Sequence, residues 1–352
     1  MQKKQNSIVL WRIVFTYLVA IYHFDVAYAI SNQIGVRSAW YIAVEFFFIV
    51  SGYLLYSNLD KLSETFGSGL AYWKSRFCKL YPYYLGSFIL CLLLYAYLSG
   101  ERLSDLLVTH VFEMFAMQGI GLNVGWVYVN DTAWYISVVL IAGFLIFHCL
   151  VKWKDTFVKF VAPIIVMAAF SYFFRFRGNI NAVLEAEGLW LSHGLLRGLS
   201  GMCLGIFAAE GNAWLRQEKR DGLFMRILGV LGFLFVIIGS VKYGISEMDF
   251  LFAVILAVSV AIGFLPSRAK VFQLGWIQKW SDLTLSIYLV HYAFSEYVFA
   301  GLLGVPGELP GKLLYAGVYL VTITIAAIIF DSAIRKIKDM ICHIMNHNRG
   351  NK

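Results

Sequence analysis

The chain has 352 residues, of which 60% are hydrophobic, 17% aromatic and only 14% charged, against about 25% charged in an average soluble domain. A single water-soluble core of this size cannot hide that much apolar surface, so a soluble globular domain is excluded. The net charge of +8 calls for no nucleic acid, because it is what a positive-inside membrane protein in contact with anionic lipid carries.

The apolar residues arrive in runs long enough for a hydrocarbon core about 30 Å thick, crossed at roughly 1.5 Å per residue. This predicts an all-α polytopic membrane bundle of about ten helices, forming one membrane-embedded domain over the whole chain. In chain order the spans fall at residues 8–30, 38–56, 80–99, 133–151, 157–174, 189–209, 223–241, 250–265, 283–302 and 313–330. The first lacks the charged, apolar and cleavage regions that a removable signal shows in series, and is expected to remain in the mature protein. Residues 103–125 are interrupted by Asp105, His110, Glu113 and Gln118, so they read as an interfacial or re-entrant segment.

Orientation follows from the basic residues. With both termini in the cytoplasm, every Lys and Arg falls on the inner side except Arg37, Arg102, Arg175, Arg177, Arg197, Lys242 and Lys312. Residues 335–352 form a basic cytoplasmic tail. The cysteines, Cys78, Cys91, Cys149, Cys203 and Cys342, lie in spans or inner segments, which argues against a disulfide framework. His343 and His347 are four apart in the tail but lack a third ligand, so no metal site is expected.

Ionisable groups at membrane depth cost roughly 2.5–3.5 kcal/mol each on insertion scales, which makes each a functional candidate. The first two spans carry the densest set. Arg12 and His23 are eleven residues apart, about 20° in azimuth and roughly 16 Å along one helix face. Arg12 lies near the inner interface and His23 in the outer half, with Tyr22 and Asp25 nearby. Glu45, in the antiparallel second span, is expected at the depth of His23, where a carboxylate would orient the imidazole; a plain helix-to-helix polar contact explains it equally well. Ser51 and Gly52 permit close helix approach.

The inner loop that follows holds Lys74, Arg76 and Lys79. Arg76 and Lys79 share a helical turn and suit a phosphate, although topology alone also places cations there. Asp131 and Thr132 read as a helix cap before Trp134 and Tyr135. These aromatics, with Trp126, suit either a sugar face or an interfacial belt. His291 lies mid-span, and Arg197 and His193 share the sixth span.

Four segments in order resemble the acyltransferase-3 family of polytopic membrane O-acyltransferases, the bacterial enzymes that modify surface glycans. They are Arg12-x10-His23; Phe46-Phe47-x-x-Ser51-Gly52-Tyr53; Arg76-x-x-Lys79-x-Tyr81-Pro82; and Leu285-Ser286-Ile287-Tyr288-Leu289-x-His291. Two positions depart from the family pattern. Lys79 stands where Arg is usual and loses bidentate geometry, and Val139 stands where many members carry Glu. The Trp134-Tyr135-Ile136-Ser137 form resembles the subgroup associated with extracellular polysaccharide acetylation. The extra-cytoplasmic hydrolase-like domain fused to some relatives has no counterpart in the sequence.

The resemblance implies an O-acetyltransferase of the bacterial cytoplasmic membrane. It would move an acyl group, expected to be acetyl, from cytoplasmic acetyl-CoA to a hydroxyl of an extracytoplasmic or lipid-linked glycan. Arg12, Arg76, Lys79 and Lys74 would hold the donor. His23 would act as general base or as nucleophile, both readings standing, with Glu45 or Asp25 orienting it. Trp134, Tyr135 and His291 are the candidates for acceptor contact. The expected partners are the glycan, membrane lipid and polysaccharide-synthesis proteins, with no metal. A transporter or flippase of a lipid-linked glycan or other solute is the competing class, since buried His, Glu and Arg also serve proton coupling. A non-catalytic assembly subunit is a third.

Overall fold

The computed structural model describes residues 6–36, 38–122, 128–181, 192–267 and 274–350, with side chains as far as 340. Trp126 and the segment 182–191 therefore lie outside the described residues, as do the side chains of Cys342, His343 and His347. The described residues contain helices and no strand. The helices are α1 (Ile8–Tyr28), α2 (Ile30–Gln33), α3 (Ala43–Ser57), α4 (Leu59–Phe66), α5 (Gly69–Ser99), α6 (Leu103–Thr109), α7 (Val111–Met114), α8 (Trp134–Thr156), α9 (Ala162–Phe176), α10 (His193–Gln217), α11 (Leu223–Tyr243), α12 (Met248–Gly263), α13 (Gly275–Tyr292) and α14 (Leu309–Gly350).

Each predicted span coincides with a helix. Six helical stretches are long and apolar enough to cross a membrane by length and composition, and one of them, Asp131–Phe176, holds two predicted spans. It bends at Trp153, whose φ of −143° and ψ of 52° leave the helical region. The other predicted spans fall below that standard for visible reasons. Helix α10 carries Arg197, Glu210 and Arg216, α12 has 16 residues, and α13 carries Lys279 and Asp282 before continuing as a π-helix over Ala293–Leu303. Large apolar side chains face outward along α11 and α14, among them Ile238, Val321 and Ile329. Water would oppose such a surface and lipid tails accept it.

Helix ends predicted to share a membrane side meet in space. Ser7 donates to the Gly263 carbonyl at 3.2 Å, joining the start of α1 to the end of α12. At the opposite end, the Lys312 ammonium donates to the Tyr28 carbonyl at 2.6 Å and Tyr28 reaches the Gly304 carbonyl at 3.4 Å. The up-and-down order read from charge alternation is thus present in the packing.

Residues 103–122 do not cross the bundle. They form short turns, and their polar residues, the ones that break the apolar run, are inside. Glu113 is fully buried and accepts the backbone N–H groups of Val129 and Asn130 at 3.0 and 2.8 Å, and faces His110 Nδ1 at 3.1 Å. Gln118 is joined to the Tyr84 hydroxyl at 2.9 Å. A buried carboxylate that gathers this many partners fixes the segment to the bundle. The cap expected from Asp131 and Thr132 is different in fact: residues 131–133 are a 3-10 turn, and Thr132 donates its hydroxyl to Asn130 at 2.9 Å.

Candidate active site

The site begins with two helices running the same way. On α1, Arg12 donates to the Thr284 hydroxyl of α13 at 3.2 Å. Further along, the His23 ring lies 5.2 Å from the His291 ring of α13, centre to centre. The Arg12-x10-His23 spacing therefore does what its azimuth requires: both side chains face one neighbour.

A cavity of about 670 Å³ opens beside Arg12. Its wall takes Phe47 and Ser51 from α3, Arg76 and Lys79 from α5, Tyr135 from α8, and Ser286 and Tyr288 from α13. All four motifs thus contribute to one wall, through Arg12, through Phe47 and Ser51, through Arg76 and Lys79, and through Ser286 and Tyr288. Ser51 and Tyr135 share a hydroxyl hydrogen bond at 3.1 Å across it. Val139, at the position where a carboxylate is common in the resembled family, also lines it.

Helix α5 starts well before the predicted span and carries Arg76 and Lys79 on its inner extension. They are three residues apart, roughly 60° around the helix, whereas Lys74 is about 160° from Arg76. Lys74 accordingly points outward, exposed and off the cavity wall. The Arg76 guanidinium sits over the Tyr72 ring at 5.3 Å.

Sequence reasoning assigned Arg335 and Lys338 to a tail. Helix α14 instead continues unbroken to Gly350, and Asp331, Arg335 and Lys338 present one face of it to the cavity. Asp331 holds Arg335 at 2.7 Å and accepts from the Tyr83 hydroxyl at 3.1 Å. The 331/335/338 spacing was the available signal. The cavity wall thus has five cations, Arg12, Arg76, Lys79, Arg335 and Lys338, against Asp282 and Asp331, a surplus that attracts anions.

The carboxylates expected beside His23 are engaged elsewhere. Glu45 is buried and bonded to Arg197 Nε of α10. The reason is helical phase: Glu45, Phe48 and Gly52 form the face of α3 that meets α10, and Phe47, Ser51 and Leu54 form the face toward the cavity. Asp25 accepts the backbone N–H of Ser31 at 2.8 Å and so fastens the chain where α1 ends. Trp134, a candidate for stacking on a sugar, is buried with its ring 5.6 Å from the Arg197 guanidinium. Tyr135 faces the cavity, and His291 meets His23. The structure thus brings together Arg12, Arg76, Lys79 and Tyr135 around one cavity and His23 with His291 beyond it. Glu45, Asp25, Lys74 and Trp134 stand apart.

Tyr288 joins the cavity wall to the histidines: its ring is 5.6 Å from His291, and its hydroxyl donates to the Thr132 carbonyl at 2.8 Å.

No curated protein matches the chain, and no solved structure does. The model of the acyltransferase-3 family, described as an acyltransferase domain, matches residues 5–331, nearly the whole chain and every cavity residue except Arg335 and Lys338. The chain therefore belongs to the acyltransferase-3 family and is a multi-pass membrane acyltransferase.

Proposed function

We propose that this acyltransferase moves an acetyl group from acetyl-CoA, taken from the cytoplasm, to a hydroxyl of an extracytoplasmic or lipid-linked glycan at a bacterial cytoplasmic membrane. The observation that carries the reading is the cavity of about 670 Å³ with five cations on its wall and the His23–His291 pair beyond its aromatic end. The phosphates of a CoA thioester suit the Arg76, Lys79, Arg335 and Lys338 group, since charge-assisted bonds to phosphate are the strong ones. The apolar stretch with Val50, Leu54 and Leu140 suits the uncharged pantetheine arm. The thioester then meets the acceptor hydroxyl near His23, which acts as general base or carries the acyl group as a nucleophile.

The test is transfer of labelled acetyl from acetyl-CoA in membrane vesicles of known sidedness. Label is expected in the glycan fraction only when donor reaches the cytoplasmic face, and the Arg335→Ala/Lys338→Ala double variant is expected to raise the KM for acetyl-CoA by about tenfold or more. An unchanged KM, or transfer from the outer face, would overturn the placement of the donor. Consumption of a different acyl thioester in place of acetyl-CoA would overturn the choice of acetyl.

A further inference from the structure

His291 is the buried group that the reading above leaves without a task. It is completely buried, and its Nδ1 lies 2.6 Å from the carbonyl oxygen of Tyr288. A carbonyl oxygen only accepts hydrogen bonds, so Nδ1 carries the ring hydrogen and Nε2 keeps its lone pair. That Nε2 is buried with no hydrogen-bond partner among the described residues. A buried acceptor without a partner among the protein's own groups is rare and calls for an explanation. The ring of His23 stands beside it, centres 5.2 Å apart and planes inclined by 51°.

Catalysis by His23 requires a place for a proton. The two carboxylates closest to it in the sequence reading are both occupied, Glu45 by Arg197 and Asp25 by the Ser31 backbone. The rings otherwise in contact with His23 are Tyr22 and Tyr292, and neither is a base in its neutral form.

We propose that His291 is the proton acceptor that works with His23, the two imidazoles replacing the histidine–carboxylate pair of simpler acid–base sites. The assignment rests on the acyltransferase reading of His23. In the direct form of the reaction, the acceptor oxygen attacks the thioester carbonyl carbon, a C–O bond forms, and the C–S bond breaks with its electron pair leaving on sulfur. The hydroxyl proton moves to His23; as the rings turn into hydrogen-bond reach of one another, the second ring proton of His23 passes to Nε2 of His291. That proton is returned to the leaving thiolate, so an ester and a free thiol depart and both imidazoles end neutral. In the covalent form, a ring nitrogen of His23 attacks the thioester carbonyl carbon, an N–C bond forms and the C–S bond breaks with its electron pair on sulfur, while the ring proton of His23 passes through Nε2 of His291 to the thiolate. The acceptor oxygen then attacks the acyl carbon, a C–O bond forms as the N–C bond breaks with its pair on His23, and the hydroxyl proton passes through Nε2 of His291 to His23, so both imidazoles end neutral. The fixed Nδ1–H of His291 serves both forms, because it keeps Nε2 as the accepting atom.

The experiment compares steady-state acetyl transfer by wild type, His23→Ala, His291→Gln and His291→Ala, all in membranes, with detergent-extracted thermal stability as the folding control. Transfer by wild type that is absent in His23→Ala establishes the parent reading separately. On that background His291→Gln, which retains shape and loses basicity, is expected to lower kcat about 100-fold or more with KM for acetyl-CoA within about twofold. Added imidazole is expected to restore part of the activity of His291→Ala. A His291→Gln enzyme with wild-type kcat, or a loss in folded His291→Ala that imidazole leaves unchanged, would overturn the assignment.

Discussion

Arg76 and Lys79 differ from Lys74 in one respect that matters, the side of α5 on which they emerge. Spacing pairs Arg76 with Lys79 on one turn, and the helix that starts at Gly69 sends Lys74 to the other side. Arg76→Ala and Lys79→Ala are each expected to raise the KM for the acyl donor by about tenfold, consistent with loss of one charge-assisted bond, while Lys74→Ala leaves it within about twofold. Donor titrations of the three variants check this, and an equal effect at Lys74 would contradict the placement. His23 and Arg12 were legible for the same angular reason, since eleven residues return the helix to the same face. Of the two readings of Glu45, the structure follows the helix-to-helix polar contact, again for an angular reason: its azimuth belongs with Phe48 and Gly52. The ring beside His23 comes from His291, 268 positions along the chain, a proximity that no local spacing encodes.

Helices α3 and α10 are locked by two devices, an ion pair and facing glycines. A methyl at Gly52 would stand 2.0 Å from the Met202 carbonyl oxygen, and one at Gly205 would stand 2.1 Å from the Ile49 carbonyl oxygen. Both obstacles are backbone, so a side chain there must push the helices apart. Glu45 and Arg197 close the same seam where α10 begins. In lipid, where apolar burial gives helices no preference for one another, such close approach and polar pairing hold them together. Gly52→Val and Gly205→Val are each expected to reduce the yield of folded, detergent-extracted protein several-fold, and Glu45→Ala to lower its thermal stability by leaving Arg197 unpaired. Size-exclusion profiles and thermal melts would show this; wild-type behaviour in all three would contradict the seam. The role of Gly52 as a small contact residue was readable from sequence, whereas Ser51, expected to share it, faces the cavity. The partner helix of Gly52 was not readable, although Gly198, Gly201 and Gly205 mark a small-residue face on α10.

For the whole molecule, the number and order of helices were largely legible, because a bilayer imposes run length and charge asymmetry directly on the sequence. The site was legible in pieces, as four motifs. What remained hidden was the wall supplied by α14, since its cytoplasmic continuation reads as a solvated tail unless the helix is known to persist. The topology predicts that reporters fused after residue 350 and at the amino terminus are both cytoplasmic, and that a tag in the turn at residues 304–308 is reached from outside; a tag shielded there would contradict the orientation. In the proposed function, this topology would separate a cytoplasmic donor from an extracytoplasmic acceptor, with His23 between them. The most direct measurement is therefore acetyl transfer from acetyl-CoA to glycan by wild type and His23→Ala at equal amounts of folded protein. The account predicts transfer by wild type and a loss of at least about 100-fold in the variant; transfer that survives the substitution would contradict it.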